Sequence, residues 1–270
     1  YIFIFQDIFP RSAILSGAIK KNGLAAYALN GIMRLTCRCA SYTIVLSESM
    51  KERFYKDIGR LKTLRVIPNW SIVKYEGSVR STNLFAKKHS FANYFTVQYS
   101  GNFGRLHDIE TILKAATDLR NIPIRFVFIG GGFKEKIIKD YIKMDNSGNI
   151  RCYPYQDRGL LSQSLEACDL AVISLIPGAE DTVSPSKFYG IIASGRGVLL
   201  ISEKNSDLAQ LIEEYSCGII IKPGDSRSLA RTINLLAHQP NRVSQMGQNA
   251  LKLYLNKFGK DKSIDSYASL

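Results

Sequence analysis

The sequence predicts an α/β protein built on a mostly parallel sheet, and three observations predict it. From Tyr94 onward, apolar runs of four to seven residues alternate with segments whose apolar residues recur at helical spacing. The runs are apolar almost throughout, as strands buried on both faces are. Glycines close the first two of them, in "YSG" and "IGGG", where a strand hands over to a helix.

The elements follow in order. "YFTVQYSG" is a strand and "HDIETILKAATDL" its helix; "IRFVFIGGG", "FKEKIIKDYIKM", "NIRCYPY" and "RGLLSQSLEAC" repeat the alternation. "DLAVISLIP" leads to the helix of "PSKFYGIIA", "RGVLLIS" to "DLAQLIEEYS", and "CGIIIKPGD" to "SRSLARTINLLAH". Six such units predict a Rossmann-like domain over 94–240. Upstream, "YIFIFQDIF", helical stretches within 11–40, "SYTIVLSESMKERF" and "LRVIPNW" predict part of a second α/β layer over 1–80. The polar "STNLFAKKHSFAN" predicts a linker at 81–93, and 241–270 a helical segment packing back on the N-terminal piece. "YIFIF" reads as a strand entered midway, with neither a start methionine nor a charged leader, so part of the fold is expected to precede Tyr1.

Hydrophobic content of 46% and charged content of 22% are those of a globular protein. "GLAAYALNGIMRLTCRCASYTIVL" is the nearest approach to a membrane span, and Arg34 and Arg38 break it. The 36 Lys and Arg against 23 Asp and Glu leave +13, which suits an anionic partner. The cations are dispersed, which argues against nucleic acid. Five cysteines without framework spacing predict free thiols, and three scattered histidines predict no metal site.

In open parallel sheets, ligands bind beyond the carboxyl ends of the strands. Three stretches fall there. "SGNFGR" offers Gly101, Asn102, Gly104 and Arg105, either as a phosphate-contacting loop or as a plain strand-to-helix turn. "GGG", with Gly130 and Gly131, indicates close packing or a close ligand, without the spacing of a dinucleotide fingerprint. In "VSPSKFYG", Ser184 and Pro185 read as a helix start, and Lys187 falls in the first turn, where acids are favoured. A bound anion would explain that cation; a side chain pointing into water would also do so. Glu180 and Asp181 sit just upstream, either as sugar-binding acids or as surface acids.

Together "YSGNFGRLHDIETILKAA", "FVFIGGG", "PYQDRGLLSQSLEACDLAVISL" and "PSKFYGIIASGRG" resemble the donor domain of GT-B glycosyltransferases of family GT4, close to bacterial polysaccharide-building members. "QDIFPRSAILSG", "TIVLSESMKERF" and "RVIPNW" resemble the end of that family's acceptor domain. The resemblance implies a GT-B fold with a complete C-terminal and a partial N-terminal Rossmann-like domain. It implies a retaining, metal-independent and cofactor-free transfer of a sugar from a nucleotide sugar, usually a UDP-sugar, to an acceptor hydroxyl.

By the same resemblance, Glu180 contacts the donor sugar, and Arg105 and Lys187 the diphosphate. Gly101, Asn102, Gly104, Ser184, Pro185 and Ser186 surround the diphosphate. Gly130 and Gly131 line the nucleotide crevice, Tyr153, Pro154, Tyr155 and Gln156 approach the base, and Tyr189 and Gly190 complete the donor site. The family's paired glutamates would fall at Thr182 and Gly190, so the ribose contact is unassigned, and Gly197 replaces a usual proline. The family's acceptor loop and sugar-positioning histidine would precede Tyr1. A lipid-linked sugar at the cytoplasmic face of an anionic membrane is the expected acceptor. A nucleotide-sugar-binding remnant without turnover, or a GT-B epimerase, is the alternative.

Overall fold

The computed structural model describes residues 1–77, 82–91, 93–145 and 147–270. The N-terminal part runs β1 (Ile2–Ile4), α1 (Arg11–Leu15), α2 (Leu24–Cys39), β2 (Tyr42–Val45), α3 (Glu48–Asp57) and β3 (Leu64–Val66). Its strands form a parallel sheet in the order β1-β2-β3, with Ile4 opposite Ile44 and Ile44 opposite Arg65. Phe5, Ile8, Val45, Leu46, Met50 and Phe54 form its core. On α2, Leu24 is 90% and Leu35 65% exposed among the described residues.

The expected linker contains a helix, α4 (Leu84–Lys88), while residues 81 and 92 lie outside the described residues. Asn83 caps it by accepting from the Ala86 amide at 2.9 Å. Phe85 and Phe91 anchor it on Val127 and Ile129. Two buried aromatics among polar neighbours turn this stretch into a packed element.

The second sheet has six parallel strands: β4 (Phe95–Asn102), β5 (Ile124–Gly131), β6 (Ile150–Tyr153), β7 (Leu170–Ser174), β8 (Gly197–Ile201) and β9 (Gly218–Ile221). Their order is β6-β5-β4-β7-β8-β9, so the winding reverses between β4 and β7. A crevice opens at such a reversal. The helices between strands are α5 (Ile109–Asp118), α6 (Glu135–Met144), α7 (Leu161–Glu166), α8 (Lys187–Ala193) and α9 (Asp207–Tyr215), and α10 (Ser226–Ala237) follows the last strand. Val97, Tyr99, Phe126 and Phe128 pack with α5 and α10 on one face. Ala171, Ile173, Val198 and Leu200 meet α8 and α9 on the other. Asp108, Ser206 and Asp225 cap α5, α9 and α10 by accepting from amides three residues on. Each cap contributes about 1 kcal/mol.

The chain ends in α11 (Pro240–Leu253), a π turn over 254–258, and α12 (Lys260–Ala268). These carry the end of the chain back to the N-terminal part. The Tyr254 hydroxyl donates to Ser71 O at 3.2 Å and the Ser263 hydroxyl to Pro68 O at 3.1 Å. Tyr267 meets Trp70 edge-on at 6.5 Å. All five cysteines are free. Among the described residues, no helix is long and apolar enough to cross a membrane.

Candidate functional site

At the winding reversal, facing the N-terminal part, lies a crevice of about 890 Å³. The end of β4 supplies Gly101 and Asn102, and the loop after it supplies Gly104, Arg105 and His107. The turn into α8 supplies Ser184, Pro185, Ser186 and Lys187; α8 adds Gly190, and Tyr155 and Gln156 follow β6. An adjoining cavity of about 600 Å³ holds Gly130, Gly131, Tyr153 and Pro154, and shares Asn102 and Tyr155 with the crevice. Tyr155 joins the two, its hydroxyl donating to Gly131 O at 3.3 Å.

Lys187 is the electrostatic centre of the crevice. Its Nζ is closed off from water, has no hydrogen-bond partner among the described residues, and stands 3.6 Å from the centre of the Tyr99 ring. The ring face attracts the cation, but less than lost water costs it. Burial therefore holds the ammonium pKa well below its ordinary value of 10.5. Gly101, at φ +120°, runs beside it: a Cβ there would lie in ordinary contact, 3.5 Å from Lys187 Cε. Arg105 stacks on Phe133, 3.3 Å from the ring centre, leaving its guanidinium at the crevice wall.

His107 is a neutral neighbour that sequence reasoning missed. Its Nδ1 lies 2.8 Å from Ser174 O. A carbonyl can only accept, which assigns the proton to Nδ1 and leaves Nε2 bare. Burial, reinforced by the Lys187 charge, lowers its pKa to about 4. The unfolded imidazole protonates near 6.5, so between pH 6.5 and 4 the unfolded chain binds more protons. The His107 contribution to stability is expected to fall by roughly 3 kcal/mol as pH drops through that window and to be constant above it. His107→Asn, which retains an N–H for Ser174, should flatten the slope in urea melts at pH 4.5 and 7.

Three expectations are corrected. The helix starts at Lys187 rather than at Ser184 or Pro185, because Pro185 O accepts from the Phe188 amide and Ser186 forms a turn before it. Glu180 is absent from the lining of the main crevice: it lines an adjoining cavity of about 350 Å³ that shares Val183, Ser184 and Pro185 with the crevice, and it accepts from the Glu203 amide at 3.4 Å. Tyr189 lines that same second cavity, 5.2 Å from the Phe258 ring.

The cause is the hold of the N-terminal part on the loop before α8. Ile8 N donates to Thr182 O at 2.7 Å, and Asp7 bridges Val183 as a short antiparallel pair. Arg53 Nε donates to Asp181 Oδ2 at 2.8 Å. Of the two loop acids, Asp181 serves the joint between the sheets. Asp7, Phe9 and Trp70, none singled out in the sequence, line the crevice from the N-terminal side. Asp7 and His107 both follow the carboxyl ends of strands, which is the signal that could have found them.

Two parallel sheets facing each other across a crevice at the strand ends define a GT-B architecture. Residues 81–253 match the family model "Glycosyl transferases group 1", and the chain belongs to that family. It is 27% identical over 270 residues to the probable glycosyltransferase WbjE of Pseudomonas aeruginosa, covering all of this chain and 67% of that one. It is 24% identical over 249 residues to the putative colanic acid biosynthesis glycosyl transferase WcaI of Escherichia coli, covering 87% of this chain and 61% of the relative. The chain thus spans about two thirds of the length of these relatives. Among solved structures, Anabaena Alr3699/HepE in complex with UDP-glucose superposes with a TM-score of 0.80 at 17% identity, covering 100% of this chain and 72% of that one. WaaG, a glycosyltransferase involved in lipopolysaccharide biosynthesis, gives 0.74 at 14% identity, with 99% and 73% covered. These likenesses show the fold.

Proposed function

We propose that the chain carries the donor site of a glycosyltransferase that moves a sugar from a UDP-sugar to an acceptor hydroxyl with retention at the anomeric carbon. The observation that carries this reading is the buried, unpartnered ammonium of Lys187 in a crevice at the winding reversal. A diphosphate oxygen in the crevice would give Lys187 its missing partner. Gly101 and Asn102 bring backbone close to the same anion, and Arg105 adds a second cation from the wall.

In the transfer, the bond from the anomeric carbon to the diphosphate oxygen breaks and a bond to the acceptor oxygen forms. The hydroxyl proton leaves with the diphosphate. Lys187 and Arg105 offset the charge that gathers on the departing group, the largest electrostatic change in the reaction. The base and ribose extend toward Tyr155 and the cavity with Gly130, Gly131, Tyr153 and Pro154. Structural neighbours in complex with UDP-glucose and with UDP support the choice of base. The names of WcaI and WaaG support a role in cell-surface polysaccharide or glycolipid synthesis, with a lipid-linked acceptor at an anionic membrane surface.

Calorimetric titration of the chain with UDP, GDP, ADP and inorganic phosphate, without added metal, tests the donor site. Saturable binding of UDP in preference to the others is the expected result. Absence of binding by every nucleotide, from a chain that melts cooperatively, would overturn it. Turnover assays with the matching nucleotide sugar then separate transfer from binding alone.

A further inference from the structure

The two walls of the crevice differ in charge. Lys187 and Arg105 stand on one side, whereas Asp7 is the single carboxylate among the described lining residues. It follows β1, and its backbone is held by the bridge to Val183, at the loop that leads into the donor side. Among the described residues its side chain has no hydrogen-bond or ion-pair partner. One side of the residue stays open to water while the cleft walls partly strip solvent from the carboxyl, raising its pKa. A diphosphate avoids such a group by like-charge repulsion. A neutral polyhydroxyl does not, because each hydroxyl can donate to it.

The surroundings fit that ligand. Phe9 and Trp70 line the same wall, and Trp70 is braced by the edge of Tyr267. Flat apolar faces beside a hydrogen-bonding group suit a sugar ring, whose C–H face packs on an aromatic while its hydroxyls reach sideways. Ser12 and Ser16 add small polar groups at the rim.

We infer that Asp7, Trp70 and Phe9 form a sugar-ring subsite for the acceptor, in which Asp7 receives and aligns the attacking hydroxyl. The acceptor is then a saccharide. The inference rests on the donor reading for its orientation: the hydroxyl held by Asp7 faces a sugar whose diphosphate lies toward Lys187.

Trp70 is the only tryptophan in the chain, so its fluorescence reports the subsite directly. The protein, saturated with UDP, is titrated with the methyl glycosides of glucose, galactose, mannose and rhamnose. At least one should shift Trp70 emission saturably. Asp7→Asn should weaken that glycoside at least tenfold, with UDP affinity unchanged within twofold by calorimetry, and Asp7→Glu should restore part of the loss. Lys187→Met should weaken UDP at least tenfold but hold the glycoside within twofold. A flat emission with all four glycosides, or equal affinity in Asp7→Asn, overturns the inference. A glycoside response from a chain that binds no UDP keeps the subsite and sinks the donor reading instead. Thermal melts of Asp7→Asn separate loss of ligand from loss of fold.

Discussion

Replacing Lys187 with methionine is expected to weaken UDP binding at neutral pH by roughly tenfold to a hundredfold, the range that 1.5–3 kcal/mol for a hydrogen bond to a charged group spans. The same change should leave the fold no less stable. The wild-type ammonium has lost its water and gained only the Tyr99 ring, so its removal relieves a desolvation cost. Methionine fills the stem's space and accepts the ring contact through sulfur. A ligand-binding residue thus lowers stability in the empty protein, the trade expected of a site built for its ligand. Calorimetry and urea melts read the two effects separately. A variant that binds UDP as tightly as wild type would remove Lys187 from the donor site.

A proton linkage accompanies this. Below 10.5 and above the depressed pKa of the folded protein, the unfolded chain holds more protons at Lys187 than the folded one. Stability therefore climbs with pH through that window and is lost as pH falls toward the folded value. The methionine variant lacks the slope. A diphosphate beside Nζ restores the attraction for the proton, so UDP binding takes one up across the same window. Calorimetry in two buffers of different ionisation enthalpy at alkaline pH should show that uptake in the wild type and none in Lys187→Met.

How much of this could be read from the chain depends on the distance over which each feature is decided. The βαβ alternation is local: strands such as "IRFVFIG" are apolar because both faces are buried, and six of them are legible one by one. The short helix α4 is not, because Phe85 and Phe91 sit among polar residues and only Val127 and Ile129 explain them. Lys187 stands out in the sequence by breaking the first-turn charge preference, although the Ser184–Pro185 signal misplaces the start of its helix. The direction of Asp181 is decided by Arg53, 128 residues away, which no local pattern encodes. Asp7 and His107 are intermediate cases, since the strand-end rule points to their loops but not to their side chains.

Gly130→Ala is expected to cost about 3–5 kcal/mol, much of the 5–15 kcal/mol that holds a typical domain together. Gly130 has φ +141°, a backbone conformation that strains an alanine by itself. Its added Cβ would stand 2.1 Å from Gly101 O and 2.9 Å from Gly101 C, both backbone atoms of the neighbouring strand. Gly101 and Gly130 are register partners, so relief requires β4 and β5 to part at their carboxyl ends. Those ends carry Asn102 and Gly131, and the loop after β4 carries Arg105. UDP binding should therefore fall along with stability. The next residue provides the contrast. Gly131 needs no positive φ, and a Cβ there would meet only the Glu135 carboxylate at 3.1 Å and the Tyr155 ring at 3.6 Å, side-chain ends that can swing aside. Gly131→Ala should cost less than about 1 kcal/mol in urea melts, as mild crowding does. If both variants melt alike, the close approach of the two strands is not what the glycine run is for. If they differ as expected, Gly130 serves strand packing first, and the ligand site depends on it indirectly.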